Sequence, residues 1–140
     1  MKRSVIDASG LILGRMASIV AKRLLEGEQI EIVNAEKAVV SGKRLSVIKR
    51  YKEFLEVGGQ GRGPIHWRRP DRLVRKTIRG MLPYRQWRGK KALKRLRVHI
   101  GVPEELQDVE KETIPEAHVS RLRGPYVTVG EIAESIGWRR

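Results

Sequence analysis

The stretch SVIDASGLILGRMASIVAKRLLEGEQIEIVNA, residues 4–35, decides the fold class. It opens on Ser4-Val5-Ile6-Asp7-Ala8, a short apolar run closed by the turn residues Ser9-Gly10, which predicts a strand. Over residues 12–25 the period changes. Leu13, Met16, Ala17, Val20 and Leu24 recur at three- and four-residue steps, so they line one face of a helix. Gly27 supplies the stop. Glu28 to Ala35, with Ile30, Ile32 and Val33, then reads as a second strand. Strand, helix and strand in succession point to an α/β domain with helices packed on a mostly parallel sheet.

Outward from this unit the pattern continues. Ala38-Val39-Val40 is a short apolar run broken by Ser41-Gly42. Residues 43–56 predict a second amphipathic helix, with Leu45, Ile48, Tyr51 and Leu55 inward and Lys43, Lys49, Arg50 and Lys52 outward. Gly58, Gly59, Gly61, Gly63, Pro64 and Pro70 crowd residues 57–70, a density of breakers that no regular element survives. A helix over about 71–82 follows. It starts with Asp71 at its positive dipole end, places Val74, Ile78 and Met81 on one stripe, and ends at Pro83. Residues 83–89 read as a loop, 90–95 as a short basic helix, and Leu96, Val98 and Ile100 alternate as a strand up to Gly101. The acidic stretch 102–117 reads as a surface connection. Tyr126 to Val129 reads as a last strand, and Thr128 with Glu131 forms a capping box for a helix over 129–136, closed by Gly137.

The chain has 140 residues, a length that suits one domain spanning 1–140. It has no cysteine, which excludes disulfides, thiolate catalysis and Cys-type zinc sites and fits a reducing compartment. No apolar run reaches the roughly 18 residues of a membrane span. The first residues meet an acid, Asp7, before any signal-peptide hydrophobic region develops.

Charge carries the functional signal. Thirty Lys and Arg oppose sixteen Asp and Glu, for a net charge of +14. Residues 1–42 hold six basic and five acidic side chains; residues 43–97 hold nineteen and three; residues 98–140 hold five and eight. Two near-neutral ends thus flank a basic middle of net +16, which repels itself until a polyanion neutralises it. Within it Arg72, Arg75, Lys76 and Arg79 recur at helical spacing. Arg62, Arg68 and Arg69 precede them; Arg85, Arg88, Lys90, Lys91 and Lys94 follow. Trp67, Tyr84 and Trp87 are interleaved, and such rings either stack on unpaired bases or pack on the domain. Arginine outnumbers lysine over residues 60–90, which favours bidentate contacts to shaped RNA over a diffuse membrane surface. These twelve cations are the expected RNA-binding residues. Residues 57–70 and 83–91 combine breakers with dense charge and are expected to be mobile in the free protein and ordered on RNA.

Catalytic patterns are poor. His66, His99 and His118 have no ligand-like spacing, and no serine stands in a nucleophile context. Gly10-Leu11-Ile12-Leu13-Gly14-Arg15 is one residue short of a phosphate loop and lacks its Lys-Ser pair, so Gly10 reads as a tight turn and Gly14 as a close helix–sheet contact. No catalytic residue, metal, cofactor or small-molecule substrate is expected. A nucleotide-dependent enzyme is disfavoured by that spacing.

In order along the chain, Val5-Ile6-Asp7-Ala8, Leu13-Gly14-Arg15, Asn34-Ala35-Glu36, Ser41-Gly42, Arg62-Gly63-Pro64 with His66 and Arg68, Arg79-Gly80-Met81-Leu82-Pro83, and Leu96 to Pro103 resemble the thirteenth universal protein family of the large ribosomal subunit. Gly130-Glu131, Gly137-Trp138 and a chain that stops at Arg140 resemble its archaeal form. The resemblance implies a three-layer α/β/α fold with a four-stranded parallel sheet. It also implies a non-enzymatic, structural role on large-subunit ribosomal RNA, beside neighbouring ribosomal proteins in the cytoplasm. It marks Gly14, Arg15, Gly80, Met81, Leu82 and Pro83 as motif residues, with Gly80 to Pro83 ending the basic helix and turning the chain towards RNA. The alternative is a free-standing RNA-binding regulator of translation acting off the ribosome.

Overall fold

The computed structural model describes residues 2–55 and 68–139. Strand β1 (Arg3–Asp7) leads through helix α1 (Leu13–Leu25) to strand β2 (Gln29–Val33), and the two strands pair in parallel with Ile6 beside Ile32. The third parallel partner, β4 (Leu96–Val98), joins the other edge of β2, giving the order β1-β2-β4. Strands β3 (Val39–Ser41) and β5 (Tyr126–Thr128) form a separate antiparallel pair. The remaining helices are α2 (Arg44–Leu55), α3 (Pro70–Gly80), α4 (Trp87–Lys94) and α5 (Val129–Ser135). The α/β class and mostly parallel sheet expected from residues 4–35 are therefore present. Among the described residues the main sheet has three strands, not the four that the resemblance implies, and the position outside β1 is taken by a single parallel bridge between Ile6 and Glu112.

The sheet's two faces differ because β-strand side chains alternate. Ile6, Ile30, Ile32 and Leu96 point to one side and join Leu13, Met16, Ala17, Val20 and Leu24 of α1 and Val74 and Ile78 of α3 in one continuous core. Fully burying an Ile, Leu or Val side chain contributes about 1.5–3 kcal/mol, so this face dominates the stability. On the other side Val5 and Val33 meet Leu106 and Val102 in a small second cluster. The far layer in the described residues is thus the connection after β4, not a long helix.

That connection corrects an expectation. The stretch 102–117 was expected to run over the surface, yet Leu106, Ile114 and Ala117 are buried. Its backbone bonds β1 from both directions: Asp7 N–H donates to Glu112 O and Glu112 N–H to Val5 O. Its acidic side chains face water while its few apolar ones seal the sheet, so composition alone hid the packing.

Helix ends explain further differences. In α2 Leu45 is 83% exposed, against the inward position expected, while Val47 and Ile48 are buried. The helix is rotated because Val47 lies under the turn at Gly42, whose φ is +132°. Helix α3 stops at Gly80, two residues early, so Met81 leaves the apolar stripe and is 43% exposed. Met81 and Leu82 N–H instead donate to the carbonyls of Ile78 and Arg79, a tight last turn that precedes Pro83. Helix α4 starts at Trp87, inside the expected loop. Gly14 is exposed, with no atom within 4 Å of where its Cβ would stand, so it makes no close helix–sheet contact. At α5 the capping box is present: Glu131 N–H donates to Thr128 Oγ1 at 3.1 Å and Thr128 N–H to Glu131 Oε2 at 3.3 Å.

Two carboxylates are locked into the sheet margin. Glu28 accepts from Arg23, which also bonds Ser4 and Glu112. Glu31 accepts from Arg3 and lies 3.2 Å from His99 Nε2. Burial pushes both carboxyls up, but the hydrogen bonds and cations around them prevail and hold both below the usual range. A depressed folded-state value stabilises the protein above the unfolded value of about 4.3 and loses that stabilisation as pH falls through the folded value. Urea midpoints are therefore expected to drop below about pH 4.5. Glu28→Gln should be less stable than the parent at pH 7, with a shallower decline on acidification.

Candidate nucleic-acid interface

Nine of the twelve expected RNA-binding residues lie on α3, on α4 or in the turn between them. Pro70 at the first helical position presets the α3 backbone, and Asp71 bonds the Arg72 N–H. Pro70, Val74 and Ile78, at four-residue steps, are buried with Leu73, which leaves Arg72, Lys76 and Arg79 on the exposed side. Arg75 behaves differently. It is half-buried, and its Nη1 donates to the Leu96 carbonyl at 3.1 Å. Burial lowers its pKa, and the neighbouring Arg72 and Arg79 charges add to the shift. One of the twelve expected cations thus ties α3 to β4. Arg95, in the same basic block, caps the end of α1 by donating Nη2–H to the Leu24 carbonyl at 2.5 Å.

The turn between α3 and α4 is built on one close approach. Leu82 is buried, Tyr84 N–H donates to Leu82 O, and Gln86 N–H donates to Pro83 O at 2.9 Å. Gly89, one turn into α4, is buried against this loop. A Cβ on it would stand 1.9 Å from Pro83 O and 2.9 Å from Tyr84 N. Only glycine permits that approach. Gly89 carries no charge or motif signal and falls at the end of the stretch read as a loop, so sequence reasoning missed it. Ala92 and Leu93 complete the inner face of α4, and Arg88, Lys90, Lys91 and Lys94 lie exposed. The segment 83–91, expected to be mobile when free, is held by this turn and docked helix.

Aromatic rings order the cations. The Arg79 guanidinium lies 4.4 Å from the Tyr84 ring centroid and Arg85 lies 5.9 Å from it, while Lys91 Nζ lies 5.4 Å from the Trp87 centroid. Arg69 Nε is 3.4 Å from Asp71 Oδ1. Arg68 is exposed and lies against Gly137, after α5. Arg15 is exposed at the start of α1. Arg62, His66 and Trp67 lie outside the described residues, as does most of the 57–70 stretch expected to be mobile. Of the other histidines, His99 pairs with Glu31 and His118 accepts from Ser120 N–H. Among the described residues there is no cluster of three or more potential metal ligands, and no helix is long and apolar enough to cross a membrane.

These features define an α/β domain that carries a dense cationic helix–turn–helix face on a near-neutral core. Residues 1–105 match the family model described as Ribosomal protein L13, and the chain belongs to that family. It is 52% identical over 136 residues to the large ribosomal subunit protein uL13 of Methanosarcina barkeri, covering 96% of this chain and 97% of that protein. It is 47% identical over 135 residues to the protein of the same name from Methanococcoides burtonii, with 96% and 97% covered. It is 49% identical over 138 residues to that of Archaeoglobus fulgidus, with 97% and 88% covered. The sequence is thus of archaeal type, and the family is a structural, non-enzymatic component of the ribosome.

The close approach at Gly89 is testable. Gly89→Ala is expected to lower stability by about 1–3 kcal/mol or more, since backbone must move to admit the methyl. Gly80→Ala meets open space at the end of α3 and should stay within about 1 kcal/mol of the parent. Denaturant melts of both variants compare the two sites.

Proposed function

We propose that this protein is a structural component of the large ribosomal subunit, binding folded ribosomal RNA through the α3–α4 face. The carrying observation is that exposed Arg72, Lys76, Arg79, Arg85, Arg88, Lys90, Lys91 and Lys94 all lie on α3, on α4 or in the tight turn between them. No acidic side chain occurs from Arg72 to Pro103 to oppose them. Arg62, Arg68 and Arg69 extend the binding set, while Arg75 serves it by holding α3 in place. Family membership and relatives named as large-subunit proteins favour rRNA over other polyanions. Neighbouring ribosomal proteins are the expected protein partners, in the cytoplasm.

Each cation that neutralises a phosphate releases condensed counterions, so affinity falls steeply with salt. With about six to ten phosphates engaged, binding to large-subunit rRNA should weaken by orders of magnitude between ~50 and ~200 mM salt. Replacing Arg88, Lys90 and Lys94 together with Ala should flatten the log–log salt slope by about two to three and leave stability within about 1 kcal/mol. Filter binding and circular-dichroism melts measure the two effects. An affinity indifferent to salt would overturn the electrostatic reading. Retention on large subunits through a high-salt wash separates the ribosomal role from that of a free-standing RNA-binding regulator.

A further inference from the structure

We propose that Trp87 is a stacking platform for an unpaired RNA nucleobase, with the Lys91 ammonium beside it to receive a phosphate. The inference rests on the RNA-binding reading and names the RNA feature that the face selects.

Trp87 is 66% exposed although it is the first residue of a helix docked on the domain. Its position is set rather than loose, because Gly89 two residues on is pressed against the Pro83 carbonyl and Ala92 is fully buried. An indole has a large flat apolar surface and few rotatable bonds, so a ring held out by a fixed backbone loses little freedom on binding. Hydrophobic burial would favour folding this ring inward; the fold leaves it in water.

The surroundings decide the occupant. A cationic stretch whose own sequence holds no acid from Arg72 to Pro103 selects an anionic partner. A flat apolar surface inside that stretch selects an anion that carries flat rings between its charges. A single-stranded or bulged nucleotide offers both at once, whereas a base inside a duplex hides its faces in the stack. The Lys91 ammonium, 5.4 Å from the indole centroid, supplies the positive charge at nucleotide scale. Tyr84, the neighbouring aromatic, is not equivalent. It is half-buried, whereas Trp87 is exposed. Tyr84 orders the turn, and Trp87 is left to meet the ligand.

The test uses the full chain and two RNA hairpins, identical except that one carries a single unpaired adenosine in its stem. The parent protein should bind the bulged hairpin more tightly than the paired one. Trp87→Ala should weaken binding to the bulged hairpin by roughly five- to hundredfold, with little change for the paired one. Trp87→Phe should retain most of the preference, and neither variant should alter the salt slope. Thermal melts of both variants report folding, and Trp87→Phe keeps the test decisive should Trp87→Ala unfold. Equal losses on both hairpins, or no loss, would overturn the stacking role while leaving salt-dependent RNA binding intact. Displacement of the bulged hairpin by an acidic, leucine-containing peptide with tighter affinity would overturn it in favour of a protein partner. Failure of the parent protein to bind either hairpin at low salt would overturn the RNA-binding reading itself.

Discussion

The seating of α3 on α1 is the contact on which the rest depends. Nineteen cations and three acids lie within residues 43–97, and such a block tends to expand rather than fold. Leu73, Val74 and Ile78 bury one side of α3 in the same core as Met16, Ala17 and Val20 of α1, against which α3 packs. Each buried aliphatic contributes on the order of 1.5–3 kcal/mol, whereas exposed like charges in salt repel by far less. The apolar stripe therefore wins locally and carries the charges to the surface as a set. Arg75 and Arg95 reinforce the seat by bonding backbone carbonyls of Leu96 and Leu24, so part of the positive charge works for the fold.

From that seat the functional face follows by short steps. Helix α3 ends in a tight turn at Met81 and Leu82, Pro83 redirects the chain, and Gly89 lets α4 approach to contact distance. Two short helices joined by so constrained a turn hold their cations in fixed relation. Prearranged charges of this kind meet a folded RNA without the ordering cost that a flexible basic tail incurs. The neutral half of the molecule supplies the counterweight. Its parallel sheet is closed on one face by helices and on the other by the connection that carries Val102 and Leu106.

The acidic margin gains a role in the same account. Glu28, Glu31 and Glu112 sit where Arg3 and Arg23 would otherwise add to the positive excess at the sheet edge. Pairing there offsets the Arg3 and Arg23 charges at the sheet margin. The balanced pairs thus belong to the near-neutral ends of the chain, and the excess of cations to residues 43–97.

Amino-acid order alone determined the α/β class, because the switch from strand to helical periodicity across residues 4–35 is strong and local. It also determined the capping box at Thr128 and Glu131, a motif closed within four residues, and the cationic character of the middle, which is a matter of counting. Contacts distant in sequence stayed out of reach. Periodicity on α2 fitted Leu45 inward as well as Val47, and the turn at Gly42 settled the rotation. Composition marked 102–117 as surface, yet backbone hydrogen bonds of Glu112 with Val5 and Asp7 of β1, 107 and 105 residues away in sequence, draw it onto the sheet edge. Charge patterning could not distinguish half-buried Arg75 from exposed Arg72 and Lys76 beside it. Nor could it show that Trp87 stands in solvent while Tyr84 is covered. Local sequence sets which conformations a segment favours; which of its faces is buried depends on what the rest of the chain places against it, and only the tertiary structure decides that.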